Sequence, residues 1–204
     1  MYNYDNAVRE RILTLERGAI FFPSDFEDIA TDTAIRQTLS RMVKRGEIIR
    51  VSRGIYCHPR TNPALGLDVI PPSAEDIAQR IAERDKVKII PTGDQALNQL
   101  GLSTQVPGNA VYSNAVYITN GARKKINIGK GRNIVFRESN ELRIFEFESK
   151  IMMLAVSAMR SIGKDKIGSD ILTVIREIVG KISPETYNHD IRLAPAWVRK
   201  KLEE

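Results

Sequence analysis

Cysteine is nearly absent from this 204-residue chain, with Cys57 the single example. One cysteine excludes an intrachain disulfide and a cysteine-based metal site, and it is expected to be a small residue closing a strand. Histidine is almost as scarce: His58 and His189 stand far apart and lack ligand spacing, so surface or capping roles are expected of them rather than metal binding or catalysis. Long apolar runs are missing too. The densest, Ile151 to Ala158, falls well short of the roughly 18 residues that a membrane span needs. The N-terminus carries acids early and has no apolar h-region, so no signal peptide is expected and a cytoplasmic location follows. There is no low-complexity block. What remains, 42% hydrophobic and 27% charged residues, is the composition of a folded chain able to bury one large core or two small ones.

The net charge is +6, and its distribution is uneven. Residues 33–60 hold seven Lys or Arg against one acid, Glu47; residues 121–137 hold six and no acid. These two patches exceed the whole net charge, so the rest of the chain is slightly acidic. A basic stretch of this kind suits a nucleic-acid partner.

The first patch sits in a readable framework. Val8, Ile12 and Leu15 predict a helix over 7–15, ended by Gly18, and Ala19 to Phe22 suits a short strand. Ser24 and Glu27 match a capping box opening a short helix from Asp25 to Ala30. Asp32 is the expected N-cap of the next helix, Thr33 to Arg45, which Gly46 ends. Ile35, Leu39, Met42 and Val43 share one face of that helix; Thr33, Arg36, Gln37, Ser40, Arg41 and Lys44 share the other. A wholly basic and polar face suits the major groove, where Arg pairs with guanine and Gln with adenine. Behind it the alternation predicts a β-hairpin turning at Ser52-Arg53-Gly54, with Arg50 and Arg53 placed to meet phosphates or a minor groove. Helix, short helix, basic helix and basic hairpin in this order predict a winged helix-turn-helix over residues 1–60, binding double-stranded DNA through Thr33, Arg36, Gln37, Ser40, Arg41, Lys44, Arg50, Ser52 and Arg53.

Residues 61–72, rich in Pro and Gly, read as a linker. Residues 73–204 predict an α+β domain with a small antiparallel sheet. Ser73, with Asp76, caps a helix that buries Ile77, Ala78 and Ile81. Val87 to Ile90 is a strand, and Thr92 and Gln95 form a capping box for a helix reaching Leu100. Strands follow at 111–119, 124–128, 133–137 and 142–147, then a buried helix over 149–162, an amphipathic one over 170–179 and a short one over 195–202. Arg123, Lys124, Lys125, Lys130 and Arg132 mark a second nucleic-acid or partner surface, with Tyr112 and Tyr117 on the preceding strand as candidate stacking groups. Gly129-Lys130-Gly131-Arg132 lacks Walker spacing and is read as a hairpin turn.

No catalytic set, metal site or cofactor signature emerges, so an enzyme is not expected. One alternative is a metal-dependent nuclease of restriction-endonuclease type, with Glu146, Glu148 and Lys150 at a strand end and Glu138 or Glu141 as the upstream acid.

Residues 18–26, GAIFFPSDF, and 35–56, IRQTLSRMVKRGEIIRVSRGIY, resemble the N-terminal domain of AbiEi-type antitoxins, the abortive-infection antitoxins of type IV toxin–antitoxin systems. Residues 91–102, PTGDQALNQLGL, and 116–121, VYITNG, are similar to an uncharacterised-domain branch of the same group. The resemblance implies a transcriptional autorepressor binding inverted repeats in its own promoter. It also implies an antitoxin domain that opposes a nucleotidyltransferase toxin without a tight complex. A regulator without a toxin, whose C-terminal domain binds RNA or protein, is the other reading.

Overall fold

Apolar residues at helical spacing set the first unit of the fold. In the computed structural model, which describes residues 4–62, 67–102 and 114–204, α1 spans Tyr4–Thr14 and buries Val8 and Ile12 completely. Strand β1 (Ile20–Phe21) follows. The expected short helix to Ala30 is instead a single 3-10 turn, Pro23–Phe26. Asp25 rather than Ser24 makes its cap, its carboxylate accepting from the Phe22 N–H at 3.0 Å. Helix α2 (Asp32–Lys44) begins one residue earlier than expected, because Thr31 and not Asp32 is the N-cap; its hydroxyl accepts from the Ala34 N–H. Strands β2 (Ile49–Ser52) and β3 (Ile55–Cys57) form an antiparallel hairpin, and β3 lies between β2 and β1. Ile35, Leu39 and Met42 of α2 pack into one core with Val8, Ile12, Phe21, Phe26, Ile48 and Tyr56. Phe21 is edge-on to Phe26 and stacked on Tyr56. Cys57 closes β3 as expected, and burial pushes its thiol up to about 11. His58, in contrast, is buried, its Nδ1 2.9 Å from the Leu15 carbonyl.

The stretch read as a linker is partly a ribbon: β4 (Arg60–Asn62) pairs antiparallel with β5 (Leu67–Ile70). Helix α3 (Ala74–Asp85) carries the expected reciprocal cap between Ser73 and Asp76 and buries Ile77, Ala78 and Ile81. Its Arg80 donates to the Ile20 carbonyl at 3.1 Å and to Asp25 at 2.9 Å, and lies over the Phe22 ring. These contacts tie the start of α3 to the first unit, which runs to Ile81 and includes Asn127–Gly129. The boundary therefore falls inside α3, not ahead of it.

The second unit, Ala82 to Ile126 and Lys130 to Glu204, contains β6 (Ile89–Pro91), α4 (Asp94–Gln99), β7 (Asn114–Thr119), β8 (Lys124–Asn127) and β9 (Asn133–Glu138). The sheet order is β6-β7-β9-β8. The sheet is small, as expected, but mixed: β6 and β7 are antiparallel, β7 and β9 parallel. Burial explains the order. Strand β9 carries Ile134 and Phe136, both buried, and Phe136 stacks on Tyr117 of β7, whereas β8 carries Lys124 and Lys125, which a solvated edge tolerates. The capping box expected at Thr92 and Gln95 does not form; Thr92 bonds the Val116 carbonyl and Gln95 the Tyr117 hydroxyl. The strand expected over 142–147 is a 3-10 turn, Leu142–Phe145. Helices α5 (Lys150–Ile162), α6 (Ser169–Val179), α7 (Pro184–Asp190) and α8 (Ala196–Glu203) complete an α+β architecture. Met152, Val156, Met159, Ile175, Val179 and Val198 join their faces in one core. Among the described residues no helix is long and apolar enough to cross a membrane.

Leu39 is fully buried at the centre of the first core. Leu39→Ala is expected to lower unfolding free energy by about 2–5 kcal/mol, the range for such cavities, in a urea titration followed by circular dichroism. An unchanged midpoint would contradict this packing.

Candidate nucleic-acid interface

The burial of Ile35, Leu39 and Met42 fixes which way the rest of α2 points. Thr33, Arg36, Gln37, Ser40, Arg41 and Lys44 are all exposed and recur every three or four residues, so they form one stripe. At the hairpin, Arg50 and Arg53 are exposed and Ser52 half-buried. Gly54 turns with φ +73°, and a Cβ placed there would lie 4.0 Å from Arg36 Nη1. The hairpin tip thus adjoins the helix stripe at Arg36.

That surface is not purely basic, as periodicity alone suggests. Arg36 is bound to Asp32 at 2.7 Å, one turn back on α2. Arg41 donates to Asp5 of α1 at 2.6 Å, and the Thr38 hydroxyl beneath contacts the same carboxylate oxygen. Glu47 accepts from Arg9 at 2.8 Å and Arg45 at 2.6 Å; the Arg9 hydrogen bond, aided by Arg45, holds its carboxyl below the usual range. Asp5 lies 36 residues from Arg41 in sequence, and no local pattern links them. Exposed guanidinium–carboxylate pairs contribute little to stability, so each can exchange its carboxylate for a phosphate or a base edge.

The second basic patch is smaller than its sequence suggests. Arg123, Lys125 and Lys130 are exposed, but Arg132 is half-buried, and Lys124 is bound to Asp85, which also accepts from Arg84 at 2.9 Å. Burial raises the Asp85 carboxyl, yet the hydrogen bonds from Arg84 and Lys124 outweigh it and leave the group below its ordinary value. Tyr117 is buried against Phe136 and so presents no stacking face; Tyr112 lies outside the described residues. Gly129, Lys130 and Gly131 all have positive φ, as a tight turn requires.

The acid cluster weighed as a nuclease site has a different setting. Glu146 and Glu148 follow a 3-10 turn rather than ending a strand, and Lys150 opens α5. Glu141 is bound to Arg160 at 2.8 Å. Among the described residues no three His, Cys, Asp or Glu converge as metal ligands. Sequence reasoning did not foresee Asp190, which is fully buried and accepts from the Glu148 and Ser149 N–H groups at 2.9 and 2.8 Å, tying the segment ahead of α5 to α7. His189 Nδ1 lies 2.9 Å from the same carboxylate. The Asp190 hydrogen bond, with the charges of Glu148 and Glu146, raises His189 above its ordinary value.

A raised folded value means that the imidazolium adds stability below the unfolded value of about 6.5, and that this is lost as pH rises through the folded value. An NMR titration is expected to find His189 titrating above a free imidazole, and Asp190→Asn to lower it. An unshifted His189 would remove the interaction.

A comparison with curated proteins finds no match. The profile of DUF6088, a family of unknown function, matches residues 7–187 and so takes in the basic helix, the hairpin and most of the second unit. The chain belongs to the DUF6088 family.

Proposed function

We propose that the N-terminal part of the first unit is a winged helix-turn-helix that binds double-stranded DNA, with α2 in the major groove and the β2–β3 hairpin as the wing. The observation that carries this reading is the single exposed stripe of Thr33, Arg36, Gln37, Ser40, Arg41 and Lys44, adjoined at Arg36 by the hairpin that bears Arg53. Guanidinium and carboxamide groups are the side chains that pair bidentately with guanine and adenine edges, and a basic loop beside them supplies phosphate contacts. Together with the resemblance to AbiEi-type antitoxins, this supports a cytoplasmic transcriptional autorepressor that recognises inverted repeats in its own promoter. By the same resemblance, the second unit acts as a type IV antitoxin against a nucleotidyltransferase toxin, without a tight complex. The nuclease alternative loses support because the Glu146–Lys150 segment is not at a strand end.

Gel shifts with DNA from upstream of the gene test the proposal. Arg41→Ala is expected to weaken binding by about 1–3 kcal/mol, the range for a base contact, and Arg53→Ala to weaken it and shallow the salt slope by about one phosphate contact. Unchanged affinity in both would sink the assigned surface.

A second reading rests on Arg123, Lys125 and Lys130, which are exposed in and around β8 and are offered as a basic face of the second unit. On it, the antitoxin step uses this face to contact RNA. Lys125→Glu with Lys130→Glu is then expected to abolish rescue from the neighbouring toxin gene while sparing promoter binding. Full rescue by the double variant would rule the face out.

A further inference from the structure

All six residues of the stripe are exposed, but two of its arginines, Arg36 and Arg41, are held by carboxylates. The two held arginines differ in turn. Asp32 holds Arg36 from the same helix, an ordinary i,i+4 pair. Arg41 is held from another element: Asp5 of α1 reaches across 36 positions and binds both the Arg41 guanidinium, at 2.6 Å, and the Thr38 hydroxyl. Thr38 is buried and also bonded to the Ala34 carbonyl at 3.1 Å, so it gives the carboxylate a fixed seat on α2. Arg41 Nη2 lies 3.4 Å from the same hydroxyl. The Arg41 and Asp5 side chains keep 46% and 39% of their exposure, so the pair is open to solvent and to a ligand.

We infer that Asp5 is an intramolecular competitor for Arg41 and thereby holds down the affinity of the stripe for DNA. The inference rests on the DNA-binding reading above. For Arg41 to reach DNA, the guanidinium has to leave a seated carboxylate. A guanine edge offers two well-directed acceptors and compensates for that loss; a phosphate at an arbitrary site offers a solvated, screened contact that does so less well. The carboxylate also stands beside the stripe and repels any phosphate that does not displace it. Charges in physiological salt are screened beyond about 8 Å, so this effect is confined to Arg41 and its neighbours. A complex that draws Arg41 away forfeits the whole pair, and one that leaves Arg41 clamped forfeits only the contact it fails to make, so Asp5 lowers specific affinity at least as much as non-specific affinity.

Fluorescence anisotropy with the full chain tests this on two labelled duplexes, one of random sequence and one from upstream of the gene, across a salt series. Asp5→Asn keeps the size and shape of the side chain, and Asp5→Ala checks that a new amide contact is not the cause; thermal melts establish that both fold. Each variant is expected to bind the random duplex up to about fivefold more tightly, as the release of an exposed ion pair allows, with a salt slope steeper by about one phosphate contact. The gain on the upstream duplex is expected to be at least as large, and both gains to vanish in an Arg41→Ala background. Unchanged affinities in both Asp5 variants, where Arg41→Ala still weakens binding, would overturn the clamp and leave the DNA-binding reading standing. A gain that persists without Arg41 would also overturn it, since Asp5 would then act only as a general charge. Failure of every form to bind either duplex would remove the DNA-binding reading, and the clamp with it.

Discussion

The packing of one helix face decides the chemistry of the other. Ile35, Leu39 and Met42 have no exposed surface and contact a core built from α1, the 3-10 turn and the β-hairpin. Rotating α2 about its axis to bury Arg36 or Arg41 would place a charge in that core and expel three apolar side chains, so the orientation is fixed by several large terms of the same sign. Everything proposed for the protein depends on this. The stripe faces outward because its opposite face cannot, and the hairpin lies beside the stripe because Tyr56 and Ile48 belong to the same core.

Within that frame, charge is arranged more carefully than the net balance suggests. Asp5, Asp32 and Glu47 each take an arginine at or near α2, and Asp85 takes Lys124 in the second unit. Each basic patch is thus reduced where it is densest, and the cations left exposed are fewer and better separated. A surface built this way offers less bulk attraction to polyanions than its count of cations suggests.

Much of this was legible in the sequence because it is local. The α2 stripe follows from 3.6-residue spacing, and Ser73 with Asp76 caps α3 as their spacing predicts. The misreadings share one cause, competition from groups distant in sequence or from a better local partner. Thr31 displaced Asp32 as a cap, and Asp25 displaced Ser24, because both candidates in each pair are good caps and only the chain path chooses between them. The insertion of β9 beside β7 reflects burial of Ile134 and Phe136 against partners that no hairpin rule includes. Asp190 holds the Ser149 N–H ahead of α5 from 41 residues away, and Asp5 meets Arg41 across a similar gap. Helix α7 was not read from the sequence, although Ser183 as a cap followed by Pro184 in the first turn is a local start signal.

The most direct test of the central claim is a map of the backbone amide NMR shifts that change when a duplex from upstream of the gene is added to the labelled protein. The account predicts that the largest changes fall on Gln37, Ser40, Arg41, Lys44 and Arg53, with the Asp5 amide moving as its partner is drawn away. Changes centred on Lys125 and Lys130, with α2 and the hairpin silent, would contradict it.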